Sequence, residues 1–284
     1  MRATEEPRSA TYLDRIVADV RAALPETKRR RPEAEVRARA EAQPPTVPFA
    51  PPLGAAELQV IAEVKRASPS KGLLAPRLEH AALAQTYALG GAAAISVLTE
   101  PKHFLGSLQH LEEIRARLDG YYPGGRPPLL RKDFIVEPYQ VWEARAAGAD
   151  ALLLIVAVLD DAPLADLLAL ARSLGMEALV EVHDETEVER ALRAGALVVG
   201  ANNRDLRTFQ VDLATTERLR PLVPGDRLLV AESGISGEGD CRRMRDAGAD
   251  AVLVGEALVR SQNVVDTLRA LRLQGGGPKG IYGV

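Results

Sequence analysis

The chain has 284 residues, 46% of them hydrophobic and 26% charged, with a formal net charge of −3. That is length for one large α/β domain or two small ones, with the apolar content of a globular protein and no apolar run of membrane-spanning length. The weak negative balance offers nucleic acid no electrostatic footprint, and a single cysteine, Cys241, excludes an internal disulfide and a cysteine metal cluster.

The N-terminus, MRATEEPRSATYLDR, has acidic residues and no apolar segment of signal-peptide length, so a cytoplasmic location is the expectation. Ser9 to Glu41 carries helical patterning, with Tyr12, Ile16 and Val20 and then Val36 at helical spacing, and breaks are expected near Pro25 and before Pro44. The KRRR run, Lys28 to Arg31, lacks interleaved aromatics and reads as a solvated helix end. Pro44 to Pro52 is too proline-rich for a helix and reads as an extended connector. Residues 1–52 are therefore expected to form a helical extension and connector, and residues 53–284 the main body.

From Val60 onward, short β-rich runs alternate with amphipathic stretches. The runs VIAEVK, AAISVL, PLLRKD, DALLLIV, EALVEV, LVVGAN, LLVAES and DAVLVG predict eight strands. Leu78 to Leu89, Pro138 to Ala146, Pro163 to Leu174, Glu185 to Arg193 and Asp240 to Ala247 predict helices between them. Junctions such as AAGADALLLI, RAGALVVG and DAGADAVLVG repeat one grammar, a glycine ending a helix before the next strand opens. Eight such units predict an α/β fold of the (β/α)8 TIM-barrel type, with the N-terminal helices as an addition. A doubly wound open sheet is the alternative; no GxGxxG follows the first strand to support it.

In such a barrel the site lies at the C-terminal ends of the strands, and these ends are strongly polar. The first ends in Glu63 and Lys65, the third in Lys132 and Asp133, the fifth in Glu181, the sixth in Asn202 and Asn203, the seventh in Glu232 and Ser233. Strand alternation places Ile61, Glu63 and Lys65 on one face and Ala62 and Val64 on the other, so the first strand ends in a carboxylate and an ammonium together. Burying that pair costs several kcal/mol per ion unless the charges are matched, which makes a purely structural role expensive. Gly234 after VAES and Gly255 after AVLV each precede helix-like sequence, the context in which backbone N–H groups bind phosphate. The residues thus point to a phosphorylated small molecule and to acid/base work by lysine and glutamate, with a lysine Schiff base as the competing chemistry. His103, His110 and His183 show no metal-ligand spacing and read as surface or capping groups.

The runs IAEVKRASPSKG, AISVLTEPKHFLGS, LLRKDFIVEPYQ, ALVEVHDE, VGANNRDL, VAESGIS and VLVGEALVR together resemble the indole-3-glycerol-phosphate synthase family of tryptophan biosynthesis. The resemblance covers nearly the whole chain, with the motifs in the family's order. It implies a lyase that converts 1-(2-carboxyphenylamino)-1-deoxyribulose 5-phosphate to indole-3-glycerol phosphate, carbon dioxide and water, without metal or organic cofactor. It implies that Lys132 is the general acid on the ketone oxygen, that Glu181 is the acid/base group for dehydration, and that Lys65, positioned by Glu63, contacts the substrate and can supply a second acid. Which lysine acts at which step is left open by the sequence. Ser68, Phe104, Phe134, Asn202, Arg204 and Glu232 match substrate-pocket positions, and Ser233, Gly234, Gly255 and Glu256 match the phosphate site. Some relatives carry serine or threonine where this chain has Glu256, so its backbone N–H is expected to face the phosphate and its side chain to turn outward. Lys71 is expected to add positive potential to the loop over the substrate. The extension is expected to lie over the barrel mouth, and the protein to act as a monomer with no nucleic-acid or membrane partner. Two other readings are a different phosphate-binding barrel enzyme such as phosphoribosylanthranilate isomerase, which commonly uses a Cys/Asp pair, and a non-catalytic phosphate-binding barrel.

Overall fold

The computed structural model of the protein describes residues 11–68, 72–76, 78–122 and 125–273. Lys71 lies outside the described residues. Strands β1 (Gln59–Val64), β2 (Ala94–Leu98), β3 (Leu129–Lys132), β4 (Ala151–Ile155), β5 (Glu177–Val182), β6 (Val198–Asn202), β7 (Leu228–Glu232) and β8 (Ala251–Val254) pair in parallel in chain order. β8 pairs back onto β1, with Gln59 opposite Ala251, and closes the barrel.

Alternation within the strands sorts the core into two shells. Ile61, Leu130, Leu153, Leu179, Val198 and Val230 fill the barrel interior, while Val60, Ala62, Leu152, Val180, Val199 and Leu229 face outward. The outer shell is covered by helices, chiefly α4 (His80–Leu89), α5 (Leu108–Tyr121), α6 (Pro138–Ala146), α7 (Asp161–Ser173), α8 (Glu185–Arg193), α10 (Glu238–Asp246) and α12 (Val264–Leu271). Two shorter helices, α9 (Ala214–Leu219) and α11 (Glu256–Val259), follow β6 and β8. After β1 the chain forms a small antiparallel hairpin, Ala67–Ser68 with Gly72–Leu73, at the mouth.

The N-terminal segment is strung from one end of the barrel to the other. α1 (Tyr12–Arg30) begins at a capping box between Thr11 and Asp14 and packs Leu13 and Ile16 into the apolar cluster that also holds Phe134, Leu153 and Ile155 at the mouth. α2 (Glu33–Glu41) lies on α6, burying Val36 and Ala40 beside Tyr139, with the Arg37 guanidinium 4.8 Å over the Trp142 ring. The chain then reaches the opposite end, where the backbone N–H of Val47 bonds Asp150 and that of Ala50 bonds Glu177, both residues at strand starts. There α3 (Ala50–Leu53) buries Phe49 and Leu53 completely under the barrel floor.

Two sequence expectations change here. α1 does not break at Pro25; it runs through to Arg30, and the turn falls between Arg31 and Pro32. α1 lies on the surface, so water can satisfy the carbonyl that Pro25 leaves without an N–H partner. The connector is extended only to about Pro48 and then makes the single turn of α3, because proline is tolerated at the first positions of a helix, where no N–H is needed.

Candidate active site

A cavity of about 740 Å³ opens at the C-terminal ends of the strands, and all fourteen site residues expected from the sequence line it. Glu63, Lys65, Lys132, Glu181, Asn202 and Glu232 come from five strand ends, Ser68 from the hairpin, Phe104 and Phe134 from the loops after β2 and β3, and Arg204 from the loop after β6. Ser233, Gly234, Gly255 and Glu256 form the rim beyond β7 and β8.

The charged groups interlock at the bottom. Lys65 Nζ lies 2.6 Å from Glu63 Oε1, an ion pair with the Glu63 side chain buried. Lys132 Nζ lies between two carboxylates, 3.4 Å from Glu181 Oε2 and 3.2 Å from Glu232 Oε2. The Glu232 contact attracts by charge but lacks hydrogen-bond alignment, leaving both Glu232 oxygens without a hydrogen-bond partner. Backbone economy makes the room. A Cβ at Gly200 would overlap the Glu232 carboxylate, and one at Gly255 would lie 2.5 Å from Glu63 Oε1 and 3.1 Å from Lys65 Nζ. Gly255 thus admits the Glu63–Lys65 pair as well as standing on the rim.

These contacts set the protonation states. Burial disfavours the Lys132 ammonium, yet the charges of Glu232, Glu181 and Glu63 outweigh it and raise its pKa above the ordinary lysine value. Burial also disfavours the Glu181 carboxylate, but Lys132 and His183 bring it down to about 2. Glu232 goes the other way: burial pushes it up to about 7, with Lys132 only partly offsetting the burial and the Glu181 charge adding to it. Two neighbouring carboxylates are therefore driven apart, one firmly ionised and one poised near neutrality, the pattern that separates acid and base roles.

An aromatic wall faces this charge. Phe104 and Phe134 stand together with ring centroids 6.1 Å apart at 36°, an apolar surface against which a flat ring can pack. Phe104 is fixed by the buried carboxylate of Glu100, which accepts the backbone N–H groups of Lys102, His103 and Phe104 at 2.9, 2.6 and 3.0 Å. On the other side, Ser233 and Gly234 both adopt left-handed backbone, with φ of 64° and 81°, so that the turn after β7 bends its peptide groups along the rim. Asn203 holds this turn by donating from Nδ2 to the Ser233 carbonyl at 3.1 Å, and Asn203 itself does not line the cavity. The Glu256 side chain pairs with Arg260 at 3.3 Å, and both residues border the cavity.

Four contributors were not marked by the sequence. His183 is no surface group: its Nε2 lies 3.3 Å from Glu181 Oε1 and its Nδ1 3.0 Å from Glu187 Oε2. The alternation that joined Glu63 to Lys65 was available for Glu181 and His183, two residues apart. Tyr12 and Ile16 of α1 also line the cavity, and Arg260 stands on its rim; no local motif marks them, because α1 reaches the mouth only through tertiary packing. Cys241 is buried on α10 with its thiol pushed up to about 12 by burial, an inert core residue outside the cavity. Among the described residues, no group of three or more His, Cys, Asp or Glu side chains is placed to hold a metal ion, and no helix is long and apolar enough to cross a membrane.

A family model described as indole-3-glycerol phosphate synthase matches residues 13–271. Proteins of that name from Roseiflexus sp. (strain RS-1) and Mycolicibacterium smegmatis are 54% and 51% identical to this chain, covering 94% and 89% of it and 99% and 90% of their own lengths. Among solved structures, a 3-hexulose-6-phosphate synthase from Salmonella typhimurium is similar at a TM-score of 0.56 and 15% identity, over 75% of this chain and 96% of that one. A thiamine phosphate pyrophosphorylase from Pyrococcus furiosus is similar at a TM-score of 0.55 and 19% identity, over 75% of this chain and 93% of that one. At that identity the two structures speak for the barrel fold alone.

Proposed function

The chain belongs to the indole-3-glycerol phosphate synthase family, and from that premise we propose how its mouth closes the indole ring. The substrate is 1-(2-carboxyphenylamino)-1-deoxyribulose 5-phosphate, and the reaction forms one carbon–carbon bond with loss of carbon dioxide and water. The observation that carries the reading is the set Glu63, Lys65, Lys132, Glu181 and Glu232 facing an aromatic wall in one cavity, inside a family match that spans nearly the whole chain.

In this reading the anthranilate ring packs against Phe104 and Phe134 and the phosphate takes the rim of Ser233, Gly234, Gly255 and the backbone of Glu256. Ser68, Asn202 and Arg204 hold the chain between the two ends. Lys132, kept as an ammonium by its carboxylates, gives a proton to the ketone oxygen as the ring carbon attacks; carbon dioxide then leaves that ring carbon. Loss of carbon dioxide restores the benzene ring; Glu181, ionised and next to Lys132, serves the dehydration that then completes the indole, and Lys65, oriented by Glu63, is the second acid. Glu232 holds Lys132 from its other side. The site is complete within one chain, so a monomer suffices as the working unit, and a cytoplasmic location suits a soluble phosphorylated substrate. The division at residue 52 separates the extension from the barrel, although α3 straddles it.

The rival isomerase reading has little to stand on, since Cys241 is buried outside the cavity. The test is to mix the purified protein with the carboxyphenylamino-deoxyribulose phosphate and follow indole fluorescence with and without chelator. Lys132→Ala should lower kcat by about 10² to 10⁴ while substrate still binds. Wild-type turnover in that variant would refute the role of Lys132, and no product from the wild type would refute the activity.

A further inference from the structure

Glu181 has two basic neighbours, one facing the substrate and one behind it. Its Oε2 faces Lys132 Nζ at 3.4 Å, while its Oε1 faces His183 Nε2 at 3.3 Å. The His183 ring is mostly buried, and its Nε2 stands at ion-pair distance from Glu181 without hydrogen-bond alignment. The far side of the ring is fixed by Glu187, in the first turn of α8. Glu187 Oε2 lies 3.0 Å from His183 Nδ1 and also accepts the His183 backbone N–H at 2.8 Å. Glu187 is itself set by its backbone N–H donating to the N-cap side chain of Asp184 at 2.9 Å. The chain of contacts runs from the α8 cap through an imidazole to the carboxylate at the reacting centre.

We propose that His183 is the positioning residue of Glu181: seated between Glu187 and Glu181, its imidazole fixes the carboxylate so that one oxygen is held back and the other is presented to Lys132 and the substrate. The proposal rests on the reading of Glu181 as the acid/base group. His183 touches no substrate in this arrangement and moves no proton; it acts through Glu181.

The charge balance supports the geometry. Burial alone lowers the histidine pKa, but Glu181 and Glu187 raise it to about 10, so an imidazolium stands between two carboxylates at neutral pH. The other charged side chain at this junction, Arg218, pairs with Glu185 and reaches the His183 carbonyl at 3.4 Å, leaving the ring to the two glutamates. Glu181 therefore has a cation on each side. When Lys132 gives up its proton, the imidazolium remains to hold the carboxylate in place for the dehydration step.

Four measurements test this in the full-length protein. His183→Asn, which keeps a short polar side chain without the charge, should lower kcat by up to about 10²-fold with KM nearly unchanged. In the Glu181→Gln background the same substitution should cost almost nothing further, because the two residues act as one unit. Histidine NMR on the wild type should show His183 protonated well above pH 7, with its titration falling toward the ordinary value in Glu181→Gln, an effect that simple packing would not produce. Glu187→Gln, which keeps the shape of the side chain and an acceptor for Nδ1, should show the same losses in weaker form and covers the case in which His183→Asn fails to fold. Wild-type kinetics in His183→Asn, or losses that add fully to those of Glu181→Gln, would overturn the proposal. Full turnover in Glu181→Gln would instead overturn the reading of Glu181 beneath it.

Discussion

Glu63, Lys65, Lys132, Glu181 and Glu232 were legible as chemistry because each stands at the end of an apolar strand, where a charged side chain has no packing reason to be. Their partners were harder to read. Which carboxylate faces which ammonium depends on the barrel's closure and stagger, and the protonation states follow from those distances. The same holds for Gly200, silent in the sequence, whose missing side chain is what lets the Glu232 carboxylate sit beside Lys132. Gly200→Ala should push that carboxylate away and lower kcat by about 10²-fold, while the overpacking costs only about 1–3 kcal/mol of stability. Steady-state kinetics beside a denaturant titration would separate the two, and native turnover in the variant would show that Glu232 can move without consequence.

At the level of elements, α1 and the loop after β2 behave as one device. His103 accepts or donates at 3.0 Å with the Tyr12 hydroxyl and lies 2.9 Å from Asp19, while Lys102 Nζ lies 2.7 Å from the same carboxylate. Tyr12 also meets Phe209, from the loop after β6, edge to face at 4.9 Å, so that one side chain spans the mouth between two loops. Helical spacing in the sequence predicted α1; its docking onto the mouth came from the family resemblance, and the partners on the two loops came only from the fold. Tyr12→Ala should loosen this cover and raise KM about tenfold, equivalent to about 1.4 kcal/mol. The melting temperature should change little, because Leu13 and Ile16 keep α1 docked. An unchanged KM would mean that α1 packs against the mouth without shaping binding.

Over the whole molecule, collecting so many charges in one buried mouth ties folding stability to pH. His183 keeps in the folded state a proton that the unfolded chain releases near 6.5; its contribution is complete below that value and is lost as pH climbs through about 10. Glu181, depressed to about 2, contributes stability above the ordinary glutamate value of 4.5 that is lost as acid protonates it. Glu232, raised to about 7, opposes folding progressively as pH rises from 4.5 to that value. The alkaline side belongs mainly to His183, so the wild type should lose melting temperature between about pH 7 and pH 10 more steeply than His183→Asn. Identical slopes would remove the imidazolium from the site.

By itself the sequence determined the repeating βα units, the polar strand ends and the family, because period-two apolar runs, helix-ending glycines and charged termini are local signals that survive without knowledge of the fold. Only the tertiary structure decided that α1 runs unbroken past Pro25, that α3 closes the floor of the barrel and that His183 backs Glu181. Those outcomes depend on groups brought together from distant parts of the chain or on the burial that closure imposes, and neither is written in any short stretch of residues.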